Sequence, residues 1–234
     1  MRRKGQAKFG DVASLARAIV ESRPSADRGL EQFHMTADSL VEQVLALKPY
    51  LIGQRMIVLG DDDHLSVLIA KYTDARVTVI EIDERVCTSL NRWARRLSLK
   101  NLTAREHDIR DGRIRTGRSR FDAFYANPPY SSKNRGHGMR AWVSSAIDWC
   151  KPACVGIIAM PSNHFDTTWV NENWISMQSY LANNGFRIVE LSQHRSSYLG
   201  TTDASLHSCN LIVRRVDPTM RLVECARAGS KLYR

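Results

Sequence analysis

Met56-Ile57-Val58-Leu59-Gly60-Asp61-Asp62-Asp63-His64 decides how the chain is read. The first four residues make a short apolar strand, and Gly60 ends it. Residues 64–72 then read as a helix. Val77-Thr78-Val79-Ile80 follows as a second strand, ending at Glu81-Ile82-Asp83. The alternation continues in both directions. Residues 84–98 form a helix with Val86, Leu90, Trp93, Ala94 and Leu97 on one side, and Leu102-Thr103-Ala104 is a weak strand leading to His107-Asp108. Phe121–Ala126 is a strand, residues 138–149 a helix and Cys154–Met160 a strand. A helix over 170–183 and strands over Phe186–Leu191 and Leu206–Val213 complete the series. Upstream, Thr36 caps a helix over 36–48 that Pro49 stops, and a shorter helix lies near Asp11–Glu21. The polar stretch Gln193–Ser205 reads as a loop over the site. Strands alternating with helices predict an α/β fold with a doubly wound, mostly parallel sheet. Ligands then bind beyond the carboxyl ends of the strands.

One of those strand ends carries chemistry. Phe121–Ala126 runs into Asn127-Pro128-Pro129-Tyr130. Proline cannot continue a ladder and restricts the residue before it, so the strand stops there in a stiff corner. The corner aims the Asn127 side-chain carbonyl and backbone carbonyls at one spot, against which the Tyr130 ring can lie. Acceptors beside an aromatic face suit an amine. The motif resembles the Asn-Pro-Pro-Tyr signature of S-adenosylmethionine-dependent amino-methyltransferases, many of which modify adenine N6. That resemblance implies a Rossmann-like class I methyltransferase fold. It would divide the chain into a short N-terminal helical extension at 1–50, a catalytic domain at 51–216 and a basic tail at 217–234.

The cofactor side starts at Gly60. A single glycine fails the GxGxxG pattern, and Asp61, Asp62 and Asp63 at a helix N-terminus would repel a phosphate. The expected ligand is therefore cationic or non-phosphorylated, and S-adenosylmethionine fits. Glu81 ends the second strand, where a carboxylate can accept ribose hydroxyls, with Asp83 as the other candidate. Asp108 and Ile109 are candidates for the adenine. Gln32, Phe33 and Thr36 precede the helix at 36–48, and the resemblance to the amino-methyltransferases implies that this segment closes over the methionine moiety. Surface or turn roles are expected for His34 and His64.

Gly60-Asp61-Asp62-Asp63 carries a second resemblance, to the Gly-Asp-Asp-Asp motif of the branched-chain polyamine synthases. Glu31-Gln32, Thr36 and the segment Lys133-Asn134-Arg135-Gly136 after the Asn-Pro-Pro-Tyr corner share in it. Those enzymes make N4-bis(aminopropyl)spermidine from decarboxylated S-adenosylmethionine. In them one Asp of the motif is implicated in deprotonating the amine, which points to Asp61–Asp63 as a set.

Composition bears on the choice. The 234 residues are 43% hydrophobic and carry 34 Lys and Arg against 24 Asp and Glu, a formal charge of +10. Size and hydrophobic content suit one domain with a sizeable core. No apolar run is long enough to span a bilayer, and Met1-Arg2-Arg3-Lys4-Gly5-Gln6 has no apolar stretch after it, so a cytoplasmic location is expected. Five cysteines without metal-ligand spacing predict free thiols and no metal site. Clustered cations flank the corner, among them Arg113, Arg115, Arg118, Lys133 and Arg135, and predict a nucleic-acid partner. A chain at +10 is a poor electrostatic funnel for spermidine, and an uncharged Asn127 suits a base. On those two grounds the sequence favours methylation of an exocyclic amine of RNA or DNA, adenine N6 foremost, with a partner subunit as one source of specificity. Aminopropyl transfer to a polyamine is the alternative. A non-catalytic nucleic-acid-binding protein on the same scaffold is the third reading.

Overall fold

A computed structural model describes residues 9–111, 120–130, 136–162, 167–199, 207–217, 219 and 220. The chain runs α1 (Phe9–Ser22), α2 (Ala37–Leu51), β1 (Arg55–Leu59), α3 (Leu65–Tyr72), β2 (Arg76–Glu81), α4 (Glu84–Arg96) and β3 (Leu102–Glu106). It continues with β4 (Phe121–Ala126), α5 (His137–Trp149), β5 (Cys150–Pro161), α6 (Thr168–Asn183), β6 (Phe186–Ser196) and β7 (Ser208–Arg215). The strands form one sheet in the order β3-β2-β1-β4-β5-β7-β6. The first five are parallel, and β7 lies antiparallel between β5 and β6. This is the doubly wound, mostly parallel sheet that the alternation predicts.

Successive side chains of a strand point to opposite faces, so a sheet covered on both sides needs apolar residues at every position. Met56 and Val58 face one core cluster, packed under α1 to α4, while Ile57 and Leu59 face the other, under α5 and α6. Residues of α1 and α2, among them Ile19, Leu40 and Leu47, belong to the first cluster and are fully buried.

Several boundaries differ from expectation, among them the start of β5 at Cys150 and the end of β7 at Arg215, and two have a plain cause. Pro49 does not stop α2, which continues to Leu51. The proline sits in the last turn, where few downstream bonds remain to be lost, and Leu51 is buried beyond it. The second is β6, which extends past Leu191 to Ser196. Pairing with β7 carries it there, with Ser196 opposite Ser208. The start of the expected loop is therefore strand, while residues 200–206 lie outside the described residues.

Candidate active site

The carboxyl ends of β1, β2 and β4 open onto a cleft, where ligands of such sheets bind. Asn127, Pro128, Pro129 and Tyr130 form one wall, with Gly60 and Asp62 beside them and Glu81 across. The corner holds because the Asn127 backbone N–H still donates to the Leu59 carbonyl at 3.2 Å, after which the prolines end the ladder. Leu30, Glu31, Gln32 and Phe33 make the opposite lip.

Gly60 earns its place by geometry. Its φ of +70° lies in the left-handed region, and a Cβ there would stand 2.7 Å from Cζ3 of Trp142. Trp142, on α5, forms part of the cleft. Gly60→Ala is expected to lower stability and weaken cofactor binding by about 2–4 kcal/mol together, through backbone strain and a displaced indole. Melting curves and titration calorimetry measure the two parts.

The three adjacent aspartates separate. Asp61 is buried, and its Oδ2 accepts the Ser66 N–H at 3.1 Å, capping α3 from within; its own N–H donates to Glu81 at 3.0 Å. Asp63 points away from the cleft. Its Oδ1 accepts from Arg23 at 3.1 Å and from the Met35 N–H at 2.6 Å. Arg23 also donates to the Met35 carbonyl at 2.6 Å. Only Asp62 of the three lines the cleft, and among the described residues no hydrogen bond to its carboxylate is seen. Burial pushes all three carboxyls up, Asp61 and Asp62 well above the usual range and Asp63 to about 6. For Asp62 the negative charges of Asp63, Glu81 and Asp61 add to burial, and Arg23 opposes them.

Glu81 lines the cleft with both oxygens engaged. Oε1 accepts the N–H groups of Ile82 and Asp83 at 2.8 and 3.0 Å, and Oε2 that of Asp61. Burial still raises its carboxyl. Gln32 lines the lip and donates to Asp83 at 3.1 Å, while Asp83 caps α4 and pairs with Arg85.

Several predicted residues do other work. Thr36 does not line the cleft; its hydroxyl caps α2 by accepting from the Ser39 N–H at 3.2 Å. Asp108 is tied to Arg110 at 2.8 Å, and those bonds outweigh burial to hold its carboxyl below the usual value. Ile109 is buried in the second core cluster, and neither it nor Asp108 lines the cleft. His64 is a turn residue with φ of +60°, but fully buried rather than on the surface. Arg113, Arg115, Arg118, Lys133 and Arg135 lie outside the described residues.

Three lining groups, Glu31, Tyr198 and Trp142, had no assigned site role in the sequence reading, although Glu31 stood in the segment of the second resemblance and Tyr198 in the stretch read as a loop over the site. Glu31, with φ of +57°, is a carboxylate at the lip, and its unusual backbone is the kind of strain that collects at functional sites. Tyr198 reaches the cleft because Met35 bridges to it across an isolated β-contact, and the Leu199 N–H donates to the His34 carbonyl at 2.7 Å. Trp142 read only as part of a buried helical stripe.

Taken together, the lining holds three carboxylates, Glu31, Asp62 and Glu81, and four aromatic rings, Phe33, Tyr130, Trp142 and Tyr198. No lysine or arginine is among the described residues that line it. Carboxylates and aromatic faces bind cations, by charge and by the ring quadrupole. A cleft in a chain of charge +10 is thus locally acidic.

Comparison with known proteins agrees with that chemistry. The N(4)-bis(aminopropyl)spermidine synthase of Thermococcus kodakarensis is 24% identical over 196 residues, covering 82% of this chain and 54% of that one. The chain spans about half the length of that curated relative. The branched-chain polyamine synthase of Thermus thermophilus, solved with N4-aminopropylspermidine and 5'-methylthioadenosine, superposes with a TM-score of 0.76 at 25% identity. That match covers 96% of this chain and 69% of the other. A Pyrococcus horikoshii structure described as a candidate RNA methyltransferase superposes at 0.66 with 14% identity, over 91% of this chain and 98% of that one. It shares the class I methyltransferase-like fold alone. The family model of the branched-chain polyamine synthase A C-terminal domain matches residues 11–227. A match over nearly the whole chain, through the acidic turn and the Asn-Pro-Pro-Tyr corner alike, shows that this protein belongs to that family.

Proposed function

We propose that the chain transfers an aminopropyl group from decarboxylated S-adenosylmethionine to an internal amine of a linear polyamine. One observation carries the reading: the cleft pairs three carboxylates with four aromatic rings and shows no described cation. A polyamine is a polycation. Decarboxylated S-adenosylmethionine bears a sulfonium and an ammonium and no carboxylate. Both suit this lining, whereas the carboxylate of S-adenosylmethionine would meet three like charges. The relatives' printed activity supports the same choice over base methylation.

The chain's residues take the following parts. The attacking amine is protonated at neutral pH and must lose its proton before its lone pair is free. Asp62 accepts that proton. Its raised affinity for protons, from burial and three neighbouring carboxylates, brings it toward the operating pH, as a general base requires. The Asn127 side-chain carbonyl orients the amine, and the Tyr130 ring faces its positive charge. Glu81, held rigid by three backbone N–H groups, presents a fixed acceptor for ribose hydroxyls. The nitrogen lone pair then forms the C–N bond to the propyl carbon, the C–S bond breaks with its electrons passing to sulfur, and 5'-methylthioadenosine leaves.

Calorimetry with the two nucleosides tests the reading. Decarboxylated S-adenosylmethionine should bind about 10-fold or more tightly than S-adenosylmethionine, the least that a like-charge contact in a desolvated site costs. Incubation with spermidine should yield a branched product. Equal affinities, or methyl transfer to RNA or DNA with no polyamine product, would return the preference to base methylation.

A further inference from the structure

A second concave surface shares no lining residue with the cleft. Arg55, Arg76 and Arg120 at the amino ends of β1, β2 and β4, and Arg105 near the carboxyl end of β3, ring a hollow along the sheet face. Trp149 and Ile80 form its apolar floor. A second hollow joins it, sharing Arg76 and Thr78, and adds Lys100. No aspartate or glutamate is among the described residues lining either one. Its cations at Arg55 and Arg76 stand roughly 16 Å along the strands from Gly60, while its upper end at Ile80 comes within one residue of Glu81.

The sheet register builds the charge density. Arg55 pairs directly with Arg76 at the first positions of β1 and β2, two like charges on strands about 4.8 Å apart. Like charges placed opposite one another are unfavourable. The Asp122 carboxylate, which feels Arg55, is already paired with Lys151 and accepts the Arg55 backbone N–H at 3.0 Å. Arg120, Arg55, Arg76 and Lys100 stand at one end of the neighbouring strands β4, β1, β2 and β3, a run of roughly 14 Å, and Arg105 lies about four residues further along β3. A compact anion would fill one hollow. A row of cations across two joined hollows matches a repeating line of negative charge.

We propose that this groove binds the sugar–phosphate backbone of a single-stranded nucleic acid, with Arg120, Arg55, Arg76 and Lys100 each taking a phosphate. The site is independent of the aminopropyl chemistry and stands or falls separately from it. Arginine supplies a planar fork that matches phosphate oxygens, and the apolar floor lets a sugar face rest between contacts.

The test is fluorescence polarisation with a labelled RNA of about 15 nucleotides, at about 50 and about 200 mM salt. Four phosphate contacts on a single strand give a log–log salt slope of about −2.8, so wild type should lose about 50-fold in affinity across that range. Arg76 and Lys100 are exposed, so Arg76→Gln/Lys100→Gln should fold normally. That variant should halve the slope to about −1.4 and lose only about 7-fold. Inorganic tripolyphosphate is the competing probe. An unchanged slope in the double variant would place any phosphate contacts elsewhere and overturn the site. Absent RNA binding would do the same, as would tripolyphosphate binding more tightly than the RNA.

Discussion

Asp62→Asn is expected to cut aminopropyl transfer about 10²–10⁴-fold, the range of a lost general base, while the folded protein becomes more heat-stable. The two effects share one cause. The Asp62 carboxyl is buried among Asp63, Glu81 and Asp61, so its folded-state pKa lies well above the value near 3.9 of an unfolded chain. Between those values the folded form holds a proton that the unfolded form has released. This group's contribution to stability is therefore greatest below about pH 4 and is lost as pH rises through the folded value. At pH above the folded value the native state carries a charge that its surroundings oppose. The amide removes that charge and should raise the melting temperature by a few degrees, with the gain shrinking as pH falls. Melting curves at pH 5 and 7.5 beside a transfer assay measure both arms. Unimpaired transfer would remove Asp62 from the chemistry. A fall in melting temperature at pH 7.5 would show that its charge is compensated after all. Asp61→Asn offers a contrast, because that carboxylate caps α3 and faces no substrate.

The largest loss of stability is expected from Arg23→Ala. The Arg23 and Asp63 side chains are 1% and 3% exposed, and removing one partner of a buried pair costs about 3–5 kcal/mol. For a chain of this size that lowers the melting temperature by about 6–20 °C. The pair also fixes the lip of the cleft. Arg23 donates to the Met35 carbonyl and Asp63 accepts from the Met35 N–H, so both backbone groups of one residue are clamped. Glu31, Gln32 and Phe33 lie just ahead of it. Substrate KM should therefore rise more than kcat falls. With its partner gone, Asp63 is protonated at higher pH than in wild type, so the deficit should narrow as pH falls toward about 6 and level off below it, where both proteins are protonated. Asp63→Asn keeps an acceptor for Met35 and should be milder. A melting temperature within a degree of wild type for Arg23→Ala would show that α1 and the lip are held by other contacts.

Much of this architecture was legible in the sequence because the signals were local. Strand endings at Gly60, Glu81 and the Pro128-Pro129 corner follow from backbone chemistry at single positions, and helical stripes such as Val86, Leu90 and Trp93 follow from a period of 3.6. Chain topology then brings those endings to one edge of a parallel sheet, so the placement of the cleft and of Asn127 and Tyr130 within it came with the fold. Tertiary structure decided the division of labour within Gly60-Asp61-Asp62-Asp63. Three identical side chains in a tight turn point in three directions, and each one's role depends on what it meets: Ser66 for Asp61, the cleft for Asp62, Arg23 forty residues earlier for Asp63. Glu31 and Tyr198 were hidden for the same reason, since distant segments bring them to the site. The net charge of +10 pointed toward a nucleic acid at the active site, but a net charge sums over the whole surface. Water and salt screen exposed charges beyond about 8–10 Å, so the cleft responds to Glu31, Asp62 and Glu81 and not to arginines on the far edge of the sheet.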